Sequence, residues 1–419
     1  MYSERERIAH VVRRLGIGAN PGLVSRLDTV DEAISAMLDV PGRPLDAPEI
    51  GAPVSWEGVD YEVMWKELVP WWLETMASGA QPLVERLLWF FHDHLAVSAS
   101  KVDHSFVMWE HHRSMRRLVT GTFDRMLHDV ARDAAMLWYL DGADNAAGAS
   151  NENFAREVME LHTVGHGSYS QADVTEMARA FSGWTINEPH WEHDGFVYPG
   201  ERRWAGVFDP ARHDAGEKTI FGRTGTFGMQ EAIDLLLDRP ETALRVASAL
   251  YRELVGLAPP PATASRLGTL FGRDYRIVPL VEEIVSDPVF ISDEAIRSKV
   301  RTPVEKAVTV MQGLPPLGEV AGDWLFWMLD KLHHVPLYPP NPAGFPSGGA
   351  LLDPARMLGS FELLHLSANP DGEGAIPADP FESLGIYDVS PETRALVDRF
   401  PRPGLQLGLV FGSPEFQVV

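Results

Sequence analysis

The stretch Tyr61–Met76, YEVMWKELVPWWLETM, decides the fold class of this chain. Its large apolar side chains recur three and four residues apart, at Trp65, Leu68, Trp72 and Met76. This spacing is typical of an α-helix with one buried face. Pro70 lies inside the pattern and has no N–H to donate, so we expect a kink there.

Helical patterns continue on both sides of this stretch. Pro82 suits the first turn of a helix that runs to about Val97. Two short helices are predicted over 5–40. The other predicted helices cover 103–120, 122–141, 152–164, 171–183, 228–238, 240–256, 261–271, 275–286, 301–313, 321–333, 353–366 and 390–398.

The fold class follows from this distribution. Aromatic and β-branched residues between turn residues predict a small β-hairpin or irregular insertion near 185–225. We therefore expect a mainly α, multi-helical fold of orthogonally packed helices around that insertion. We divide the chain into N-terminal helices and a loop (1–60), a main helical domain (61–313) and a Pro/Gly-rich C-terminal region packed on it (314–419).

The composition limits the classes of function. The 419 residues carry 59 acidic and 36 basic side chains, a net charge of −23, which repels phosphate backbones and disfavours nucleic-acid binding. The chain has no cysteine, which excludes disulfides and thiolate chemistry. No run approaches the length of a membrane span, so we expect no membrane insertion. The charged N-terminal residues show no signal peptide and predict a cytoplasmic protein.

Long motifs in the middle of the chain resemble a known family. Residues 151–165 read NENFAREVMELHTVG, and residues 169–184 read YSQADVTEMARAFSGW. Both are similar to the signature of the bacterial domain-of-unknown-function family numbered 1800. Further similar segments are FFHDHLAVS (90–98), AAMLWYLD (134–141), His213-Asp214 followed by KTIFG (218–222), KVRTPVE (299–305) and PPNPAGFP (339–346). The resemblance implies a family without an assigned function, many of whose members are exported.

The helix predicted over 152–164 carries the first candidate site. On a regular helix, Glu152, Arg156 and Glu160 fall on one polar arc with Asn153 and Glu157. Glu157 and Glu160 lie about one turn apart and can share a metal ion or a proton. The alternative is an exposed face whose Glu152–Arg156–Glu160 ladder is an ion-pair network.

His92 and His94 form the second candidate site. On a regular helix they point about 200° apart, but at a helix end both can reach one ion. With Glu157 or Glu160 they would suit Fe, Mn or Zn, so the candidate metal ligands are His92, His94, Glu157 and Glu160. The alternative is that one histidine caps the helix and the other is a core hydrogen-bond donor.

The third candidate site is the loop that carries His213, Asp214 and Lys218. The histidine and aspartate can act as a base with its orienting acid, or as ligands. A turn held by hydrogen bonds is the alternative.

These residues lead to three hypotheses of function. The leading one is a metal-dependent enzyme, hydrolytic or oxidative, with catalytic residues among Glu157, Glu160, His213, Asp214 and Lys218; the cofactor is undetermined, with a divalent metal ion as the candidate. The second is a non-catalytic binding or scaffold protein for a glycan or peptide. Its groove would be lined by tryptophans among Trp65, Trp71, Trp72, Trp138, Trp184, Trp191 and Trp204. The third is a metal-free glycoside hydrolase with a carboxylate pair.

Overall fold

The computed structural model describes residues 1–40, 45, 47–192, 195–197, 202–314, 322–366 and 379–419, and over 190–197 it describes the backbone alone. These residues are mainly helical, and three two-stranded sheets lie between residues 184 and 225. The predicted fold class, mainly α with a small β insertion, is confirmed.

Three helices form the N-terminal segment: α1 Glu4–Leu15, α2 Pro21–Val24 and α3 Val30–Leu38. Side chains cap their first turns, since Ser3 accepts a hydrogen bond from Glu6 N and Thr29 accepts one from Glu32 N. The two helices predicted over 5–40 correspond to α1 and α3. The helix α2 was not predicted, because a helix of one turn is too short to show a repeating pattern of apolar residues.

The stretch 61–76 contains a π-helical turn, Met64–Leu68, which continues as α4, Val69–Ser78. Pro70 has no N–H and cannot donate a hydrogen bond to a carbonyl one turn earlier. The wider π-helical turn lies at the position of this missing hydrogen bond. Leu68, Trp72 and Met76 are buried, which confirms the predicted buried face. The helix predicted to begin at Pro82 is α5, Pro82–His94.

Six helices follow along the chain up to the β insertion: α6 Ala99–Val102, α7 Ser105–Leu118, α8 Phe123–Ala131, α9 Ala134–Tyr139, α10 Asn153–Glu157 and α11 Gln171–Phe181. The single helix predicted over 122–141 is wrong. Asp133 adopts an extended backbone conformation and caps α9 by accepting a hydrogen bond from Ala135 N, so two helices meet there at an angle.

The segment predicted as a regular helix over 152–164 also departs from expectation. After α10 it widens into a π-helical turn, Val158–His162, and Thr163 Oγ1 donates to Val158 O over 2.6 Å. Side chains beyond Glu157 therefore do not follow the 100° spacing on which the predicted polar arc depended.

The β insertion consists of three antiparallel pairs. β1 (Trp184–Ile186) pairs with β4 (Gly206–Phe208), β2 (His190–Glu192) with β3 (Gly195–Val197), and β5 (Lys218–Ile220) with β6 (Arg223–Gly225). Gly206 lies so close to the end of α8 that a Cβ there would be 2.0 Å from the carbonyl oxygen of Arg132. This close approach brings the β1–β4 sheet against α8.

The α-helices of the described residues after the insertion are α12 Met229–Leu237, α13 Pro240–Val255, α14 Pro261–Phe271, α15 Ile277–Val285, α16 Pro303–Gly313, α17 Gly322–Lys331, α18 Pro354–Ser360, α19 Pro380–Ser383, α20 Pro391–Asp398, α21 Pro403–Phe411 and α22 Pro414–Gln417. Buried apolar side chains form one cluster that runs from Ile8 to Phe416. The division into 1–60, 61–313 and 314–419 stays a prediction.

A buried ion-pair network fastens α5 to distant parts of this core. Arg86 is 1% exposed, and its guanidinium donates to Glu253 Oε1 over 2.6 Å and to Glu305 Oε1 over 2.9 Å. It also donates to the carbonyl oxygens of Arg13 and Gly16 at the end of α1. Four segments that are remote in sequence thus meet at one guanidinium.

Candidate functional site

A large open cleft lies between α7, α8, the β1–β4 sheet and the segment Glu49–Ala52. Its volume is about 1100 Å³. A cavity of this size accommodates a small organic ligand and is the default place to look for a binding site.

The helical repeat explains which side chains reach the cleft. Phe106, Glu110, Arg113 and Arg117 lie three or four residues apart on α7 and therefore share one face. Arg125 and Asp129 share a face of α8 in the same way, and Arg132 follows at its end. The cleft is thus the space between two charged helix faces.

Arginine dominates the lining. Among the described residues, the cleft lining has six arginines, Arg113, Arg117, Arg125, Arg132, Arg202 and Arg203. The carboxylates of this described lining are the four of Glu49, Glu110, Asp129 and Asp133. The net formal charge of the lining is +2 (six minus four), whereas the whole chain carries −23. A sixth of the 36 basic side chains of the chain therefore lines one cavity.

Ion pairs hold some of these arginines in place. Arg113 donates to Glu110 Oε1 over 2.6 Å and to Glu49 Oε1 over 3.1 Å. Arg132 donates to Asp129 Oδ1 over 2.7 Å, and Arg125 Nε lies 3.7 Å from the other oxygen of that carboxylate. The side chain of Arg125 is 76% exposed, so it is accessible to a ligand.

Two indole groups fix the segment that closes the cleft on one side. The buried Trp109 of α7 donates through Nε1 to the carbonyl oxygen of Pro48. Trp204 donates through Nε1 to the carbonyl oxygen of Pro53 over 2.8 Å. The backbone between these two prolines, which carries Glu49, is therefore held at both ends.

The predicted carboxylate pair lies elsewhere, at the junction of α10 and the π-helical turn. Tyr169 Oη donates to Glu160 Oε2 over 2.6 Å, and this bond lowers the pKa of Glu160. Burial, and then the charge of Glu160, raises the pKa of Glu157. The structure thus brings Glu157 and Glu160 together in different environments. The predicted ion-pair ladder is present in part, because Arg156 donates to Glu152 over 2.9 Å.

The two predicted histidine ligands occupy the last turn of α5 but have different partners. Leu337 N donates to His92 Nε2 over 3.0 Å, and His94 Nε2 donates to the carbonyl oxygen of His162 over 3.1 Å. Burial lowers the pKa of His92 to about 3 and that of His94 to about 4, so both are neutral. Within the described parts of the chain, no group of three or more His, Asp or Glu side chains is arranged to hold a metal ion. The predicted metal site stays a prediction.

The third predicted set is gathered at one loop. His213 Nδ1 lies 2.9 Å from the carbonyl oxygen of Ser182, and Arg179 donates to both oxygens of Asp214. The ammonium of Lys218 is buried and donates to the carbonyl oxygens of Asp214 and Gly216. These contacts match the alternative of a turn held by hydrogen bonds, and a catalytic role for His213, Asp214 and Lys218 stays a prediction.

The helix α11 contacts both sets. Thr175 Oγ1 donates to Glu152 over 2.8 Å, on the segment that carries the carboxylate pair, and Thr219 N of β5 donates to Glu176 over 3.1 Å. The two sets of predicted catalytic residues therefore belong to separate segments that pack against one helix.

Comparison with known proteins places the chain in a family. A family model described as "Protein of unknown function (DUF1800)" matches residues 10–418. The chain belongs to the DUF1800 family. Neither the curated proteins nor the solved structures contain a match to it.

Several residues of the segments that resemble the DUF1800 family are buried inside the protein. Arg301 and Glu305 of the segment 299–305 are buried, and Glu305 caps α16 together with Thr302. His92 and His162 of two other segments are buried as well. These motif residues of the DUF1800 chain hold helices together, and they lie away from the cleft.

The predicted tryptophan groove is present only in small part. Trp184 and Trp204 line the cleft, but Trp72 is buried against His92 and His112, and Trp138 packs against Trp56. The side chain of Trp191 lies outside the described residues. In the described portion of this DUF1800 protein, no helix is both long and apolar enough to span a membrane.

Sequence reasoning missed the arginine cleft. The four-residue interval between Arg113 and Arg117, on a helix that was predicted, is the available signal for a cationic face. Nothing in the sequence indicates that Arg202 and Arg203, some 80 residues later, reach the same cavity.

Proposed function

We propose that this protein binds a small anionic ligand, with more than one carboxylate or phosphate group, in the cleft between α7 and α8. The observation that carries the proposal is the convergence of six arginines from three segments on one cavity of an acidic chain. This is a binding function, the second of the three hypotheses drawn from the sequence, with an anionic ligand in place of an unspecified glycan or peptide.

Side-chain chemistry supports this ligand class. A guanidinium presents two parallel N–H groups to a carboxylate or phosphate, and such charge-assisted pairs are stronger than neutral hydrogen bonds. In formal charge, the four carboxylates of the described lining offset four of its six guanidinium groups, which leaves this lining with a net charge of +2 in a chain of −23.

The size and the surroundings of the cleft support a small ligand. Outside the lining the chain carries −25 (−23 minus +2), so an extended polyanion would meet an acidic surface beyond the cleft. The expectation that the protein does not bind nucleic acid rests on the same charge.

Replacing Arg125 tests the proposal. Titration calorimetry with citrate and with pyrophosphate is expected to show binding to the wild-type protein that weakens as salt is added. Arg125→Gln should bind roughly three- to tenfold more weakly, because one charged hydrogen-bond donor is lost from an exposed site. The fold should be intact, since the side chain of Arg125 is 76% exposed.

Arg223→Gln is the matched control. Arg223 is also an exposed arginine paired with an aspartate, Asp238, but it lies on β6 outside the cleft lining. This variant should bind as the wild type does. Equal weakening by both substitutions would show a general charge effect, and absence of binding to the wild type would contradict the proposed function.

A second candidate function, metal-free acid–base hydrolysis at Glu157 and Glu160, is favoured by one observation. The environments of these neighbouring carboxyls move their pKa values in opposite directions, which is the arrangement of a proton donor beside an ionised partner. Removing the charge of Glu160 in Glu160→Gln should lower the pKa of Glu157, as measured by carbon-detected NMR titration. An unchanged pKa would show that burial alone sets it.

A panel of chromogenic glycosides tests the catalytic part of this candidate. Hydrolysis that is lost in Glu157→Gln and kept in Glu152→Gln, a control on the same segment, would support it. Hydrolysis that survives Glu157→Gln would remove Glu157 from the reaction.

A further inference from the structure

One of the carboxylates in the cleft is exposed and yet pairs with a cleft arginine. Glu49 belongs to the segment between Pro48 and Pro53, and its side chain is 84% exposed. Its Oε1 nevertheless lies 3.1 Å from Arg113 Nη2, within the lining of the cleft. An exposed glutamate thus occupies one donor of a cleft arginine.

We infer that Glu49 is a tethered competitor, which occupies on Arg113 the place of one anionic group of the ligand and leaves when the ligand binds. The inference rests on the proposed function, because it concerns the same cleft. It identifies Glu49 as a residue that determines specificity, and it explains why the ligand should carry more than one negative charge.

The anchoring of the segment supports competition by the side chain alone. Trp109 and Trp204 hold the backbone at Pro48 and Pro53, so Glu49 stays near Arg113 at a high effective concentration. The carboxylate itself has only solvent and Arg113 as neighbours in its described contacts, so it can turn away without disturbing the fold.

The two nitrogens of Arg113 differ in how readily a ligand can reach them. Nη1 donates to Glu110 over 2.6 Å, a partner three residues earlier on the same helix that is 31% exposed. Nη2 has the longer contact, to the more exposed Glu49. An incoming anion is therefore expected to displace Glu49 rather than Glu110.

Competition also sets the kind of ligand that binds. A monocarboxylate that displaces Glu49 exchanges one carboxylate for another on Arg113 and gains little. A ligand with two or more anionic groups gains contacts with further arginines, such as Arg117 and Arg125, at the same time. The exchange therefore favours multiply charged anions over single ones.

The test compares Glu49→Gln with Glu57→Gln. Glu57 follows this segment, in the 3-10 turn Trp56–Gly58, and is exposed, but it is not part of the cleft lining. With citrate and pyrophosphate as probes in titration calorimetry, Glu49→Gln is expected to bind about two- to fivefold more tightly than the wild type, the range for loss of an exposed ion pair. Glu57→Gln should bind as the wild type does, and acetate should bind the wild type far more weakly than citrate does.

The outcomes separate this inference from the proposed function. If citrate or pyrophosphate binds the wild type and Glu49→Gln equally, or if Glu57→Gln tightens binding by the same factor, Glu49 is not a competitor and the cleft remains an anion site. If neither probe binds any of the three proteins, the proposed function fails and the inference fails with it.

Discussion

Replacing Arg86 by methionine is expected to lower the free energy of unfolding by about 3–5 kcal/mol. The side chain of Arg86 is 1% exposed and has four partners from distant segments: Glu253, Glu305 and the carbonyl oxygens of Arg13 and Gly16. Methionine fills a similar volume but leaves these acceptors without their shared donor. Lys299 still lies within ion-pair distance of both carboxylates, so the loss reflects buried acceptors that lose their shared donor more than the net worth of the pairs.

Denaturant unfolding followed by circular dichroism measures this loss, with Arg223→Met as the control. Arg223 is 61% exposed, so its variant should unfold within about 0.5 kcal/mol of the wild type. Arg86→Lys keeps a charge but cannot reach all four acceptors at once, and it should fall between wild type and Arg86→Met. A loss below about 1 kcal/mol in Arg86→Met would show that the network contributes little to stability.

Mild acid is expected to unfold the protein near pH 5, because several histidines, among them His92, His94, His162 and His334, resist protonation where they are buried. Burial lowers the pKa of His92, His162 and His334 to about 3 and that of His94 to about 4. In the unfolded chain a histidine has a pKa of about 6.5. Between about pH 6.5 and 4 the unfolded state therefore takes up protons that the folded state does not bind, and stability falls as the pH falls.

The size of the effect follows from linkage. Each such histidine lowers the free energy of unfolding of the protein by about 1.4 kcal/mol for every pH unit below about 6. Four together approach the whole stability of a typical domain, roughly 5–15 kcal/mol, within two units below pH 6.5. Asp93 has the opposite effect on stability. Burial raises the pKa of its carboxyl to about 6, so as the pH falls Asp93 takes up a proton in the folded protein before it does so in the unfolded chain. One carboxyl offsets about one histidine.

His162→Leu and its control His166→Leu test the assignment to buried rings. His162 is the last residue of the π-helical turn and His166 follows it closely, but His162 is 1% exposed whereas the side chain of His166 is 86% exposed. The free energy of unfolding, measured from pH 7.5 to 5.5, should depend on pH less steeply in His162→Leu, so that its total change over this range is smaller by about 1.4 kcal/mol. In His166→Leu, the free energy of unfolding should depend on pH as steeply as it does in the wild type. Equal slopes in all three proteins would contradict the account.

The fold could be predicted from sequence where one physical cause dominated. Leu68, Trp72 and Met76 repeat with the helical period and are buried, and Pro82 marks the start of α5. The errors came where a local hydrogen bond overrode the period. Asp133 caps α9 and breaks the helix predicted over 122–141, and Thr163 closes the π-helical turn after Glu157.

The candidate site was less predictable because it depends on tertiary placement. Glu157 and Glu160 are close in sequence, and the structure keeps them together. His92 and His94 are equally close, yet one bonds to Leu337 N and the other to the carbonyl of His162. No property of the sequence shows which distant segment will cover a helix end.

The cleft could not be predicted from the sequence for the same reason. Arg113 and Arg125 belong to successive helices, but the wall opposite them comes from the β1–β4 sheet and the segment near Glu49. The close packing of Gly206 on the end of α8 and the hydrogen bond from Trp204 to Pro53 O help to bring that wall into place.

The position of a bound anion tests the central claim most directly. Crystals of the full chain soaked in selenate, and measured at the selenium absorption edge, would locate the anion by its anomalous signal. We predict a selenium peak in the cleft, with selenate oxygens within hydrogen-bond distance of at least two of Arg113, Arg117 and Arg125. Selenate bound at other places on the surface, with the cleft empty of anomalous signal, would contradict the assignment of the cleft as an anion site.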